Sequence, residues 1–140
     1  MLLADDHAAM LALTATVLAN ECLVVGRVGD GYELLAEAER LHPDVIVLDI
    51  TMPRLDGIVA ARQLRRSHRS ARLVFLTVHE DADYARAALD AGGLGYVVKT
   101  RLASDLLPAI RQRWPVAASS RRLCALMKQD PLLQISQRNQ

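Results

Sequence analysis

The chain has 140 residues and a formal net charge of +1, one domain's worth with room for a real core. Half of it is hydrophobic (51%) but only 4% is aromatic, so the core must come from Leu, Val, Ile and Ala. A near-neutral total argues neither for nor against nucleic acid, but the balance is uneven. Residues 1–113 hold 13 Lys and Arg against 15 Asp and Glu, and residues 114–140 hold 4 against 1.

The apolar pattern alternates strand and helix five times. A first strand over 1–5 is followed by a helix over 7–20, striped by Met10, Leu11, Leu13, Val17 and Leu18. A second strand is expected over 23–28 and a second helix over 31–41. His42-Pro43 ends that helix, because proline disfavours helical geometry in the residue before it. The third strand covers 44–49. After Met52-Pro53 and the Asp56-Gly57 turn signal comes a helix over 58–67.

Strand four covers 72–77 and helix four 81–91, stopped by Gly92-Gly93. Strand five covers 94–99 and helix five 103–113. Strands three to five are continuous aliphatic and β-branched runs, as in sheets covered by helices on both faces. The expected fold is α/β: a flavodoxin-like (βα)5 doubly wound parallel sheet of strand order 2-1-3-4-5, with right-handed crossovers. Residues 1–113 form that domain. Residues 114–140 form a basic tail with a possible short helix from Ser119 or Ser120 to Met127, which Pro131 would end.

Each expected strand except the second ends in a polar residue. Asp5 and Asp6 follow the first, Asp49 the third, Thr77 the fourth and Lys99 the fifth. In this strand order they converge at the carboxyl edge, where open α/β sheets bind ligands. Three crowded carboxylates repel unless they share a cation, and oxygen ligands suit Mg²⁺. Asp49, alone at the centre of the edge, is the candidate nucleophile for an aspartyl phosphate, with Asp5 and Asp6 holding the metal. Lys99 supplies charge and Thr77 a hydrogen bond to phosphoryl oxygens, in chemistry that depends on positioning and neutralisation.

Leu2-Leu3-Ala4-Asp5-Asp6-His7, Leu48-Asp49-Ile50-Thr51-Met52-Pro53, Leu76-Thr77 and Gly95-Tyr96-Val97-Val98-Lys99 together resemble the receiver domain of two-component response regulators. The Asp-Asp-His opening and the Met-Pro resemble the NarL/FixJ type. The resemblance implies that Asp49 accepts a phosphoryl group from a sensor histidine kinase. It further implies that Asp6, Asp49 and the Thr51 backbone carbonyl bind Mg²⁺ directly and Asp5 through water. Thr77 and Tyr96 match the pair that rearranges on phosphorylation, the ring turning inward to remodel the face of helix four, strand five and helix five. Thr51 and His79 match positions that tune hydrolysis of the aspartyl phosphate. The output expected is a downstream protein or a homodimer.

Two departures stand out. Thr100 follows Lys99 where many receivers have a cis proline. Only 27 residues follow Arg113, too few for the helix-turn-helix domain usual in NarL/FixJ regulators, so specific DNA binding by this chain is not expected. A fragment of such a transcription regulator is the alternative context. A Mg²⁺ phosphohydrolase with an aspartyl nucleophile would commonly need an acid where Thr51 stands, so no enzyme acting on outside substrates is expected. A nucleotide or flavin module would want a glycine-rich loop where Asp5-Asp6-His7 stands.

His7 reads as a helix-start residue beside the site, and His42 and His68 as solvated helix-end residues. Arg62, Arg65, Arg66 and Arg69 form a basic stripe that reads as a solvated helix face, because no aromatic residues interleave with it. Cys22 and Cys124 are far apart, without metal-type spacing, and are expected as reduced thiols. No basic segment precedes an apolar stretch at the N-terminus, and no apolar run approaches a membrane span. A cytoplasmic protein, not bound to membrane, is expected. The first strand is short enough to suggest a few missing N-terminal residues.

Overall fold

A computed structural model describes residues 1–112; the proposed helix over 119–127 and Cys124 lie outside the described residues. Five parallel strands, β1 (Leu2–Ala4), β2 (Gly26–Val28), β3 (Val45–Leu48), β4 (Arg72–Thr77) and β5 (Gly93–Val98), pair in the order β2-β1-β3-β4-β5. They alternate with α1 (Ala8–Leu18), α2 (Gly31–Leu41), α3 (Gly57–Ser67), α4 (Ala82–Asp90) and α5 (Leu102–Gln112). The sheet order and the alternation are those expected from the sequence.

Successive strand residues face opposite sides of a sheet, and here both sides are dry. Leu2, Ile46, Leu48, Leu73 and Phe75 pack against Leu34, Ala60, Leu64, Ala85 and Ala88 of α2, α3 and α4. Leu3, Val45, Val47, Val74 and Val97 pack against Ala15, Leu18, Leu106 and Ile110 of α1 and α5. Alanines at the helix contacts bring the helices close, which is how a core so poor in aromatics fills its volume.

The differences from expectation lie at element ends. β2 starts at Gly26 instead of Leu23, which is 79% exposed. Met1 still bonds to the segment before β2, its carbonyl accepting from the Val25 N–H and its amino group donating to the Leu23 carbonyl, both at 2.8 Å, but regular ladder pairing begins at Leu2 and Gly26. β5 ends at Val98, and Lys99 opens a 3-10 turn (Lys99–Arg101) that leads into α5. That turn takes the place of the loop in which many receivers carry a cis proline; every peptide bond among the described residues is trans. Caps are local. Asp30 and Asp56 accept from the backbone N–H groups of Glu33 and Val59, starting α2 and α3. Among the described residues no helix is long and apolar enough to cross a membrane.

Candidate functional site

Each polar residue at the carboxyl edge is placed by the strand before it. The backbone N–H of Asp49 donates to the Ala4 carbonyl at 3.0 Å and that of Asp5 to the Val28 carbonyl at 3.0 Å. The two acids thus leave adjacent strands side by side. The chain then turns sharply: the Gly57 N–H donates to Ile50 O at 2.7 Å, and a Cβ on Gly57 would stand 1.8 Å from the Asp49 carbonyl oxygen. Only glycine allows that approach, which brings α3 directly under the acid.

Asp5 and Asp49 are 4% and 3% exposed, and Lys99 stands between them. Its Nζ lies 2.7 Å from Asp5 Oδ2 and 2.8 Å from Asp49 Oδ2. The second Asp49 oxygen accepts the Ile50 N–H at 2.7 Å, and the second Asp5 oxygen accepts the His7 N–H at 2.9 Å. Burial by itself would lower the Lys99 pKa, but its hydrogen bonds to Asp49 and Asp5 outweigh burial and hold it above the ordinary value. The ammonium is therefore charged at neutral pH.

Asp6 faces outward, its side chain 31% exposed. The ring of His7 bridges the two neighbouring acids, with Nδ1 at 3.2 Å from Asp5 and 3.0 Å from Asp6. His7 is also the N-cap residue just before α1, at the helix start as expected. Asp5, Asp6 and His7 each offer a ligand atom within 4.8 Å of the others. Three carboxylates against one ammonium leave this edge short of positive charge. The Thr51 carbonyl takes part in no hydrogen bond among the described residues. An oxygen-rich, anionic edge with a free carbonyl at its rim fits a hard cation such as Mg²⁺, which Asp5 and Asp6, with Asp49 and the Thr51 carbonyl beside them, would hold.

The far rim is built on His79. Its N–H donates to the Thr77 hydroxyl at 3.3 Å, and its carbonyl accepts the Tyr96 hydroxyl at 2.6 Å. Its ring Nε2 is 2.7 Å from the Thr51 hydroxyl, and the ring stacks on Tyr84 of α4 at 4.0 Å. One residue thus ties β4, β5, α4 and the loop after β3 together. Tyr96 lies inward and fully buried, and burial, reinforced by the charges of Asp81 and Asp49, pushes its pKa well above 10. Thr77 is also fully buried.

All eight residues singled out from the sequence therefore gather at one edge: Asp5, Asp6, Asp49, Thr51, Thr77, His79, Tyr96 and Lys99. Sequence reasoning missed Tyr84, and it missed a brace on the loop after β3. There Arg54, at φ 68°, reaches Asp30 at 3.3 Å and lies over the Tyr32 ring. A non-glycine residue at positive φ is the structural trace of that brace, and no residue pattern announces it.

The profile of the Response regulator receiver domain family matches residues 1–111. This chain belongs to that family. It is 41% identical over 111 residues to the transcriptional regulatory protein PdtaR of Mycobacterium tuberculosis, covering 79% of this chain and 54% of PdtaR. It is also similar to a two-component response regulator of the LuxR family from Aurantimonas sp. SI85-9A1, with a TM-score of 0.76 and 27% identity over 91% of this chain and 94% of that one. The isolated REC domain of RcsB from Salmonella enterica serovar Typhimurium, solved in the presence of phosphomimetic BeF3−, superposes with a TM-score of 0.69. It is 27% identical, over 79% of this chain and 86% of the RcsB domain. The chain spans about half the length of PdtaR. Receiver domain, two-component signalling and the (βα)5 fold are thereby established for residues 1–111.

Proposed function

We propose that this receiver is a phosphorylation switch, in which Asp49 accepts a phosphoryl group from the phosphohistidine of a sensor histidine kinase. The observation that carries the reading is the Asp49 carboxylate held at 2.8 Å from a buried, charged Lys99, with Asp5 sharing that ammonium. An Asp49 oxygen attacks phosphorus, the P–N bond to the kinase imidazole breaks, and the imidazole leaves with the bonding electron pair. Lys99 Nζ exchanges a carboxylate oxygen for a phosphoryl oxygen, and the Thr77 hydroxyl donates to another. Bound Mg²⁺ would supply the remaining positive charge for the phosphoryl oxygens.

The added phosphoryl group carries about two negative charges and consumes the one on the Asp49 carboxylate, so an edge already short of cations gains about one more negative charge. Movement of Thr77 toward it alters its bond to the His79 N–H, and the His79 carbonyl is the anchor of Tyr96. His79 therefore links the phosphorylation site to α4 and β5, whose surface is read by a downstream protein or a second copy of the chain. The Thr51–His79 bond closes the rim above Asp49 and sets how readily water reaches the aspartyl phosphate. In this reading the protein acts in the cytoplasm, contributes to transcription regulation through its partner, and turns over no substrate besides its own phosphoryl group.

The test is intact mass after incubation with Mg²⁺ and acetyl phosphate, beside an Asp49→Asn variant. One added phosphoryl group, absent from the variant and absent in EDTA, is the expected result. Rapid consumption of acetyl phosphate without an adduct would replace the switch with a hydrolase. Neither adduct nor consumption would remove phosphate from the mechanism.

A further inference from the structure

The second concentration of charge lies at the other end of the molecule. α3 begins under Asp49 and runs away from it for eleven residues, about 15 Å at the helical rise. Its last turns carry Arg62, Arg65 and Arg66, and Arg69 follows just beyond the helix. With Asp90 and Ala91 at the end of α4, these four side chains line one open groove of about 520 Å³.

All four arginines are exposed, and none forms an ion pair with a described residue. One carboxylate, Asp90, lines the same groove, so four guanidinium groups face one acid there, and Glu39 is held by His68 at 3.2 Å. Along the helix the arginines are each other's neighbours at spacings of three and four, where like charges repel. The macrodipole rewards cations in the last turn, which accounts for Arg65 and Arg66 but not for Arg62. The Arg65 stem lies close against Gly92: its Cδ would stand 2.7 Å from a Cβ there, at a residue with φ 102°. The result is a local positive face on a domain whose formal charge over residues 1–113 is −2.

We propose that this groove is a docking surface for the phosphate backbone of double-stranded DNA, gripped without reading its sequence. The four guanidinium groups span about 10 Å of rise, comparable to the rise across four successive phosphates of one strand. Guanidinium forks pair with phosphate in bidentate fashion. The groove has no aromatic lining residue. That counts against a protein partner, whose binding energy concentrates on aromatic anchors, and against single strands, which bind by stacking on aromatic rings. It does not weaken a duplex backbone contact, which needs only charge. The inference is independent of the Asp49 chemistry, and Asp49→Asn is expected to leave it unchanged.

The experiment is fluorescence anisotropy of a labelled duplex DNA titrated with the full chain across a salt series. Variants are R62E/R66E and, as an equal charge change on other exposed positions, R27E/R101E; circular dichroism verifies the fold of each. Four phosphate contacts predict a log–log salt slope of about −3.6, so affinity falls about tenfold for each doubling of salt. R62E/R66E should lose at least about tenfold in affinity and reduce the slope by about two, while R27E/R101E changes affinity by less than about threefold. The proposal is overturned if duplex DNA does not bind at low salt, or if both variants lose affinity equally. Tighter binding of a poly-glutamate peptide or a single strand, with the same dependence on Arg62 and Arg66, would also overturn it in favour of that class of partner.

Discussion

The two ends of this molecule handle charge in opposite ways. At the carboxyl edge Asp5 and Asp49 are buried and share one ammonium, with every carboxylate oxygen of the pair accounted for. At the last turns of α3, four guanidinium groups stand in solvent with no ion-pair partner among the described residues. A buried charge must be neutralised inside the fold, so its partners are fixed and its chemistry can be read from them. An exposed charge is satisfied by water, so the fold places little demand on it. Substitutions should therefore be costly at the first end and almost free at the second.

The largest effect is expected from Lys99→Met. It leaves two buried carboxylates without their cation, and breaking such a pair costs about 3 kcal/mol. Urea denaturation in EDTA measures this. Mg²⁺ should then stabilise the variant more than the wild type, because the orphaned acids take the ion as a replacement. Equal stability of the two proteins in EDTA would show that water already reaches these acids and that the contrast between the two ends is illusory. Gly57→Ala comes next. Its methyl would collide with the Asp49 carbonyl at 1.8 Å, and forced backbone movement of this kind costs about 2 kcal/mol. The readout that separates it from mere instability is phosphoryl incorporation at a temperature where the variant is fully folded, which should still be slowed as Asp49 shifts.

Tyr96→Phe removes the bond to the His79 carbonyl and should cost about 1 kcal/mol near neutral pH. The pH dependence carries more information. The folded-state pKa of Tyr96 is raised, so its contribution is complete below about pH 10, the value for an unfolded tyrosine. As pH rises through and beyond 10, the unfolded chain loses the phenolic proton first and that stability drains away. Thermal melts should show wild type falling more steeply than Tyr96→Phe above pH 10, so that the gap between them narrows. A constant gap would mean that the hydroxyl is not sequestered and that the His79 anchor is weak.

The strands that mattered most were legible because β3, β4 and β5 are uninterrupted aliphatic runs ending in polar residues. The site was legible for the same reason: strand ends converge, so the sequence position of Asp49, Thr77 and Lys99 already implies their meeting. What escaped depends on contacts across elements. Regular pairing of β2 begins only where Gly26 meets Leu2, which nothing in Leu23, Val24 or Val25 reveals. The His79–Tyr84 stack and the Arg54–Asp30 brace join side chains from separate elements without periodicity. The arginine stripe was visible as a stripe, but its concavity arises only when the ends of α3 and α4 come together.

The smallest effect is the one that tests the other half of the contrast. Arg62 sits in α3 three and four residues before Arg65 and Arg66, and it lies too far from the helix end to profit much from the macrodipole. Arg62→Glu converts two repulsive neighbours into attractive ones, with the acid on the favoured N-terminal side of each pair. The variant should be more stable than wild type by about 0.5 kcal/mol, read from the urea midpoint, and the gain should shrink at high salt. A helix that folds better without its arginine carries that arginine for something other than folding. If Arg62→Glu is instead destabilised by more than about 1 kcal/mol, the guanidinium has an internal role, and the groove would have to be read as structure instead of surface.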